Sequence, residues 1–245
     1  MRNLLIFMFL VAIFVVGKRS CNGVHFGFNG IRGEGPIQTE TRSVTNFHAV
    51  DLQISGNVEV SVGESYFVEV SAQQNILPII KTTVENGALR IYCDENLWSS
   101  GEIKVRVTAP AFDRFDVGGS GIIRLANALK SERLYLSVSG SGDIKCPQIE
   151  TGNLEANIAG SGAIELGGTS SDLRADIAGS GDVRAKALTT QTLRVNISGS
   201  GSVSADVTTS LRADISGSGD VFYSGSPTVE SNISGSGKVQ KTEVQ

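Results

Sequence analysis

Leu173-Arg-Ala-Asp-Ile-Ala-Gly-Ser-Gly-Asp-Val-Arg-Ala185 is the stretch on which the reading of this chain turns. In its first five residues apolar Leu173, Ala175 and Ile177 alternate with Arg174 and Asp176, the period of a strand with one dry and one wet face. Gly179-Ser-Gly181 interrupts the run, and Asp182-Val-Arg-Ala185 resumes it as a second short strand. Leu154-Glu-Ala-Asn-Ile158, Leu193-Arg-Val-Asn-Ile197 and Leu211-Arg-Ala-Asp-Ile215 repeat the first strand, each ahead of its own Gly-Ser-Gly.

Working outward, the motif occurs seven times: Gly119-Ser-Gly121, Gly140-Ser-Gly142, Gly160-Ser-Gly162, Gly179-Ser-Gly181, Gly199-Ser-Gly201, Gly217-Ser-Gly219 and Gly235-Ser-Gly237. The spacings are 21, 20, 19, 20, 18 and 18 residues. An apolar residue (Leu134, Leu154, Leu173, Leu193, Leu211 or Val229) always precedes the second glycine by 8 residues, so that segment is geometrically fixed. Length varies only in the remainder, such as Lys186-Ala-Leu-Thr-Thr190, which reads as a third short strand or a loop. Fourteen of the 29 glycines therefore sit at corners, where a strand must turn with positive φ or at close backbone approach.

A unit of about 20 residues cannot bury its own apolar face, so neighbours must stack. The pattern predicts an all-β parallel β-solenoid of about seven Gly-Ser-Gly coils, preceded by N-terminal strands. The competing architecture is an antiparallel meander in which each Ser-Gly is a hairpin turn. The outward row Ser137, Asn157, Asp176, Asn196, Asp214, Asn232 argues for stacking, because Asp alternates with Asn and no two carboxylates would face each other on adjacent rungs.

Upstream, Leu52-Gln-Ile-Ser-Gly-Asn-Val-Glu-Val60 echoes the repeats. Tyr66-Phe-Val-Glu-Val70, Leu89-Arg-Ile-Tyr92 and Ile103-Lys-Val-Arg-Val107 read as further strands separated by Pro78, Asn86-Gly87 and Pro110. Residues 21–42 read as a Gly-rich polar leader. Leu4 to Gly17 is apolar behind Arg2 and shorter than the about 20 residues of a spanning helix, so residues 1–20 read as a signal peptide. Cys21 is either a lipidated cysteine or a thiol beyond a plain secretory cleavage site, Lys18 departing from the lipoprotein pattern. Export permits a disulfide between Cys93 and Cys146, but nothing in their spacing demands one, and two buried thiols is the simpler reading.

Phe47-His-Ala-Val-Asp51, Ser55-Gly-Asn-Val-Glu-Val60, Asn86-Gly-Ala-Leu-Arg-Ile91 and the Ser-Gly-Ser-Gly-Asp-Ile/Val series together resemble the auto-transporter adhesin head GIN domain of exported proteins in Bacteroidetes-type bacteria. The resemblance covers about residues 43–240, divided into N-terminal strands at 43–113 and repeats at 114–240, with a tail at 241–245. It implies a right-handed β-helix and a surface location, and it brings no catalytic residues with it.

The full chain carries 21 basic and 25 acidic residues, a net charge of −4, and no basic stripe is visible, which speaks against nucleic acid as a partner. The two histidines, His25 and His48, lack neighbouring ligands at metal spacing, and no Gly-x-Ser-x-Gly nucleophile elbow is present. Neither a metal nor a cofactor is therefore expected. Asp176 with Asp182, and Asp214 with Asp220, flank two corners and are either solvated charge or a Ca²⁺ site. Arg174, Arg194 and Arg212 stand two residues before the outward row and are expected to pair with its carboxylates within the stack. The leading functional expectation is a non-enzymatic envelope interaction module. Its polar row, Asn157, Asp176, Asn196, Asp214 and Asn232, would meet a glycan or protein, with membrane contact only through a lipid at Cys21. The alternatives are a purely structural or regulatory envelope protein, or a carbohydrate-active β-helix enzyme using Asp143, Asp182 or Asp220.

Overall fold

Strands leaving successive Gly-Ser-Gly corners lie in register over one another, and all of them are parallel. In the computed structural model, which describes residues 30–99 and 101–242, Leu154, Ala156 and Ile158 face Leu173, Ala175 and Ile177, which in turn face Leu193, Val195 and Ile197. This removes the antiparallel meander. Seven corners enclose six full coils of a β-solenoid.

In chain order the strands are β1 (Ile31–Arg32), β2 (Ile37–Arg42), β3 (Ala49–Leu52), β4 (Asn57–Val62), β5 (Phe67–Gln73), β6 (Ile80–Glu85), β7 (Ala88–Cys93), β8 (Leu97–Ser99) and β9 (Lys104–Ala109). The repeats follow as β10 (Arg114–Val117), β11 (Ile122–Leu125), β12 (Leu129–Gly140), β13 (Asp143–Gly160), β14 (Ala163–Gly179), β15 (Asp182–Gly199), β16 (Ser202–Gly217), β17 (Asp220–Gly225), β18 (Thr228–Gly235) and β19 (Lys238–Lys241). From β13 to β16 each strand runs unbroken from one corner to the next, so the length-variable segment is strand rather than loop. It absorbs its extra residues as register shifts, after Cys146, Glu165 and Ala185 in successive coils.

The corner explains the motif. Ser180 N–H donates to Gly160 O at 2.9 Å and Asp182 N–H to Gly162 O at 3.1 Å, so the backbone ladder continues around the bend. A Cβ on Gly179, whose φ is +133°, would lie 2.3 Å from that same Gly160 oxygen. One on Gly181 would lie 2.5 Å from Gly162 O and 2.6 Å from Ile158 Cγ2. Only glycine lets the rungs approach closely enough to bond there.

Inside, the apolar rows stack into continuous buried ladders, Leu134-Leu154-Leu173-Leu193-Leu211 among them. Thr190, 1% exposed, donates to Thr192 O at 3.0 Å and accepts from Ser170 Oγ at 2.9 Å, so its buried hydroxyl is satisfied. Cys146 lies in the core and burial pushes its thiol up to about 12; Cys93 is half-buried, and both are free.

The N-terminal strands do not simply precede the stack. They extend it and close it. β3 and β4 lie parallel beneath β10 and β11, with Leu52 opposite Val117 and Asn57 opposite Ile122, so Ile54-Ser-Gly56 forms a further corner under the first Gly-Ser-Gly. β7 and β9 lie parallel on the far side of β3 and β4, and antiparallel β6, β5 and β2 complete that end. Residues 31–32 and 37–42, expected to belong to a leader, are thus strands of the folded unit. The exposed sequence of β2, Ile-Gln-Thr-Glu-Thr-Arg, gives the outermost edge a mostly polar surface. The signal segment, Cys21 and His25 lie outside the described residues.

At the other end β18 and β19 form the last rung. Lys238–Lys241 pairs with Asp220–Tyr223 as part of that rung. Val229 and Ile233 are consequently 38% and 39% exposed although they continue buried ladders.

The corner geometry predicts that Gly179→Ala costs about 2–4 kcal/mol through strain and overpacking, which is on the order of 10 °C in Tm. Gly119→Ala is expected to be nearly neutral, because Gly119 overlies Gln53 rather than another corner glycine and its Cβ would find no atom closer than 3.7 Å. Thermal melts of the two variants check the contrast; equal losses would contradict this account of the corner.

Candidate functional site

The wet face of the first strand in each coil carries parallel rows of side chains. Ser137, Asn157, Asp176, Asn196, Asp214 and Asn232 form one line in register, as their spacing requires, and line a shallow trough of about 560 Å³. The row is half-buried rather than fully exposed for most of its length. Alternation serves the expected purpose: Asn196 Nδ2 donates to Asp176 Oδ1 at 2.5 Å, so an amide stands where a second carboxylate would repel.

The alternation ends below the repeats, where Asp116 faces Asp51 directly. Each has its own cation, Arg114 Nε at 2.6 Å from Asp116 and Arg90 Nε at 3.3 Å from Asp51. Burial raises the Asp116 carboxyl above its ordinary value; Arg114 opposes this, and Asp51 adds a smaller upward push.

Two of the three arginines pair with carboxylates of the row, as expected, and Arg194 does not. Arg174 bonds Asp176 at 2.7 Å and Arg212 bonds Asp214 at 3.3 Å, each within its own strand two residues on, and Arg212 also reaches Glu230 across the stack at 3.1 Å. These contacts are exposed and each contributes little to stability. Arg174, Arg194 and Arg212 nevertheless occupy consecutive rungs of one row. Arg194, next to Asn196 instead of an aspartate, has no carboxylate within ion-pair distance among the described residues.

Beside these rows runs a groove of about 1030 Å³, extending from Ala49 and Ala88 across the coils to Arg194. Its lower wall is the β6–β7 turn, where Asn86 and Gly87 adopt φ of 52° and 78°. His48 and Ala49 N–H both donate to Gly87 O, and His48 Nδ1 lies 2.9 Å from Asp113 Oδ1. Arg114 covers the Tyr135 ring at 5.0 Å and projects from the same wall. Sequence reasoning missed the His48–Asp113 pair because 65 residues separate its members.

A family model described as "Putative auto-transporter adhesin, head GIN domain" matches residues 46–227. This chain belongs to that family. Solved structures show the same fold. A "putative adhesin" from Bacteroides fragilis NCTC 9343 has 22% identity and a TM-score of 0.80, covering 87% of this chain and 100% of that one. A "putative lipid binding protein" from Parabacteroides distasonis ATCC 8503 has 24% identity and a TM-score of 0.75, covering 87% and 99%. A "putative adhesin" from Parabacteroides merdae ATCC 43184 has 19% identity and a TM-score of 0.71, with the same coverage of 87% and 99%. No functionally curated protein matches the sequence.

In this head GIN domain two of the acidic residues weighed for other chemistry, Asp143 and Asp182, have structural partners. Asp182 accepts from Ser202 Oγ at 2.6 Å and from Arg184 at 3.0 Å, and Asp143 accepts from Ala163 N–H at 3.2 Å. Asp143, Asp182 and Asp220 fall on alternate rungs of one row, separated by Ala163 and Ser202. That spacing holds them about 10 Å apart along the stack. Among the described residues no three His, Cys, Asp or Glu side chains converge as a metal site.

Asn196→Asp would set three carboxylates on consecutive rungs of the head GIN domain. It is expected to cost roughly 1 kcal/mol at neutral pH. Mutual repulsion raises the three folded-state pKa values. The penalty is therefore absent in acid, grows as pH rises through the carboxylate range, and shrinks with salt. Urea unfolding of variant and parent across that range measures it; a pH-independent difference would contradict the stacked row.

Proposed function

We propose that this head GIN domain is an exported envelope module that binds an extended glycan or protein segment along the wet face of its first strands. The observation that carries this reading is the in-register face itself. Arg174 and Arg194, the Asn/Asp row and the Tyr135 ring recur or stand in line across successive coils, beside a groove open along its length. A repeat surface of this kind offers the same donors and acceptors at each strand spacing, and so suits a polymer better than a compact substrate. Membership of an adhesin-named family supports the same reading.

Export enters through residues 1–20, read as a signal peptide, and attachment through Cys21 if that cysteine is acylated. In that arrangement the domain's N-terminal end faces the membrane and the coils point away from it. The corner carboxylates Asp143 and Asp182 are engaged by backbone, Arg and Ser donors, which supports a binding role over acid–base work at those positions.

The test displays the full chain on otherwise non-adherent cells and measures retention on glycan- and protein-coated surfaces. Displayed parent is expected to raise retention, and Arg174→Ala with Arg194→Ala to weaken affinity roughly tenfold, about 1.4 kcal/mol, while the melting curve stays unchanged. Adhesion that is absent in the parent, or indifferent to the double substitution, would count against this face.

A further inference from the structure

The coils bring together on a different side a cationic groove that is scattered in the sequence. Arg124, Lys145, Glu165, Arg184, Ser204 and Phe222 occupy successive rungs of one row, each directly opposite the next. Next to this row, the register shifts after Cys146, Glu165 and Ala185 fall at the same place in neighbouring coils. They open a groove of about 600 Å³ with Pro147, Gly167 and Ala187 along its floor. Gly167 keeps that floor low, since a Cβ there would lie 2.4 Å from Pro147 O.

Four cations line the groove, Arg124, Lys145, Arg184 and Lys186, against one carboxylate, Glu165. A single oxygen of Glu165 serves both Lys145 and Arg184, at 3.2 Å each, and Arg184 also holds Asp182 at 3.0 Å. Arg124 and Lys186 are exposed and have no ion-pair partner among the described residues. This local positive excess stands on a chain whose net charge is −4. Half-buried Phe222 adds an aromatic surface near the end of the row, with Gln240 opposite it on the last rung.

We infer that this groove binds an anionic polysaccharide, lying across the coils with its carboxylate or sulfate groups on Arg124, Lys145, Arg184 and Lys186 and a sugar ring against Phe222. Charge complementarity names the sign of the ligand. The rungs lie about 4.8 Å apart, so the groove continues across several coils and accommodates an extended chain rather than a single ion. Guanidinium and ammonium groups give charge-assisted hydrogen bonds to such groups, and an aromatic ring packs on a sugar face. The inference rests on the reading of the chain as a surface binding module, but it uses residues separate from the Arg174–Arg194 face.

The experiment measures binding of the full chain to polygalacturonate, heparin and neutral dextran at low and high salt. Binding to one or both polyanions and not to dextran, weakened by salt, is expected, and the two polyanions separate carboxylate from sulfate recognition. Arg124→Gln with Lys186→Gln removes two unpaired exposed cations, so folding is expected to be unchanged and polyanion affinity to fall at least roughly tenfold. Arg174→Ala with Arg194→Ala is expected to leave it unchanged. No polyanion binding at low salt, binding indifferent to the Arg124/Lys186 pair, or binding only to phosphatidylglycerol vesicles would each overturn the inference. If adhesion through the Arg174–Arg194 face survives such a result, the proposed function stands without it; loss of both removes the two together.

Discussion

The structure depends on a hydrogen bond at a bend. Strands in neighbouring coils pair readily along their straight segments, but a corner ordinarily breaks the ladder and leaves donors unpaired. Here Ser180 N–H still reaches Gly160 O, and its equivalents do so at all six corners that follow the first Gly-Ser-Gly. Unpaired donors at half-buried bends would each cost about 1–3 kcal/mol, so ladder continuity is worth the conformational freedom that glycine sacrifices on folding. Close approach at the corner also fixes register. A slip of one residue would carry every Leu, Ala and Ile to solvent and set side chains where the stack admits none.

The outer surface follows from the same register. Direct superposition turns each position of the repeat into a row, and a row of like charges is unfavourable. The sequence meets this in two ways, by alternating Asp with Asn or Asp with Ala and Ser on successive rungs, and by giving a carboxylate an arginine two residues away on its own strand. Arg194, Arg124 and Lys186 depart from the second habit, standing as cations with no carboxylate at ion-pair distance among the described residues.

How far the molecule could be read from its sequence varies by region. The stacked coils were legible because the fixed interval between Leu173 and Gly181 recurs without error and the Asn/Asp row favours stacking, although seven corners, read as about seven coils, enclose only six. The N-terminal half was legible only as strands. Its spatial order, with β3 and β4 between β7 and β9 on one side and β10 and β11 on the other, is not the chain order, and no local pattern encodes it. The same applies to the candidate sites. Arg174 and its pairing with the aspartate row were visible in the spacing, but which carboxylate it meets was not. The cationic groove needs Arg124, Lys145, Arg184 and Phe222 from separate coils, so the chain shows no basic stripe although the folded surface does.

The placement of β3 and β4 also sets an order of assembly. Within the repeats each coil meets residues about one repeat earlier, whereas Leu52 waits for Val117, 65 positions on. Closing the longer loop costs about 1 kcal/mol more chain entropy than closing one of repeat length, and such distant pairings slow folding. The coils, each closed by a short segment, therefore form ahead of that contact. The β3–β4 rung locks on afterwards as a keystone, held by β10 and β11 on one side and by β7 and β9 on the other.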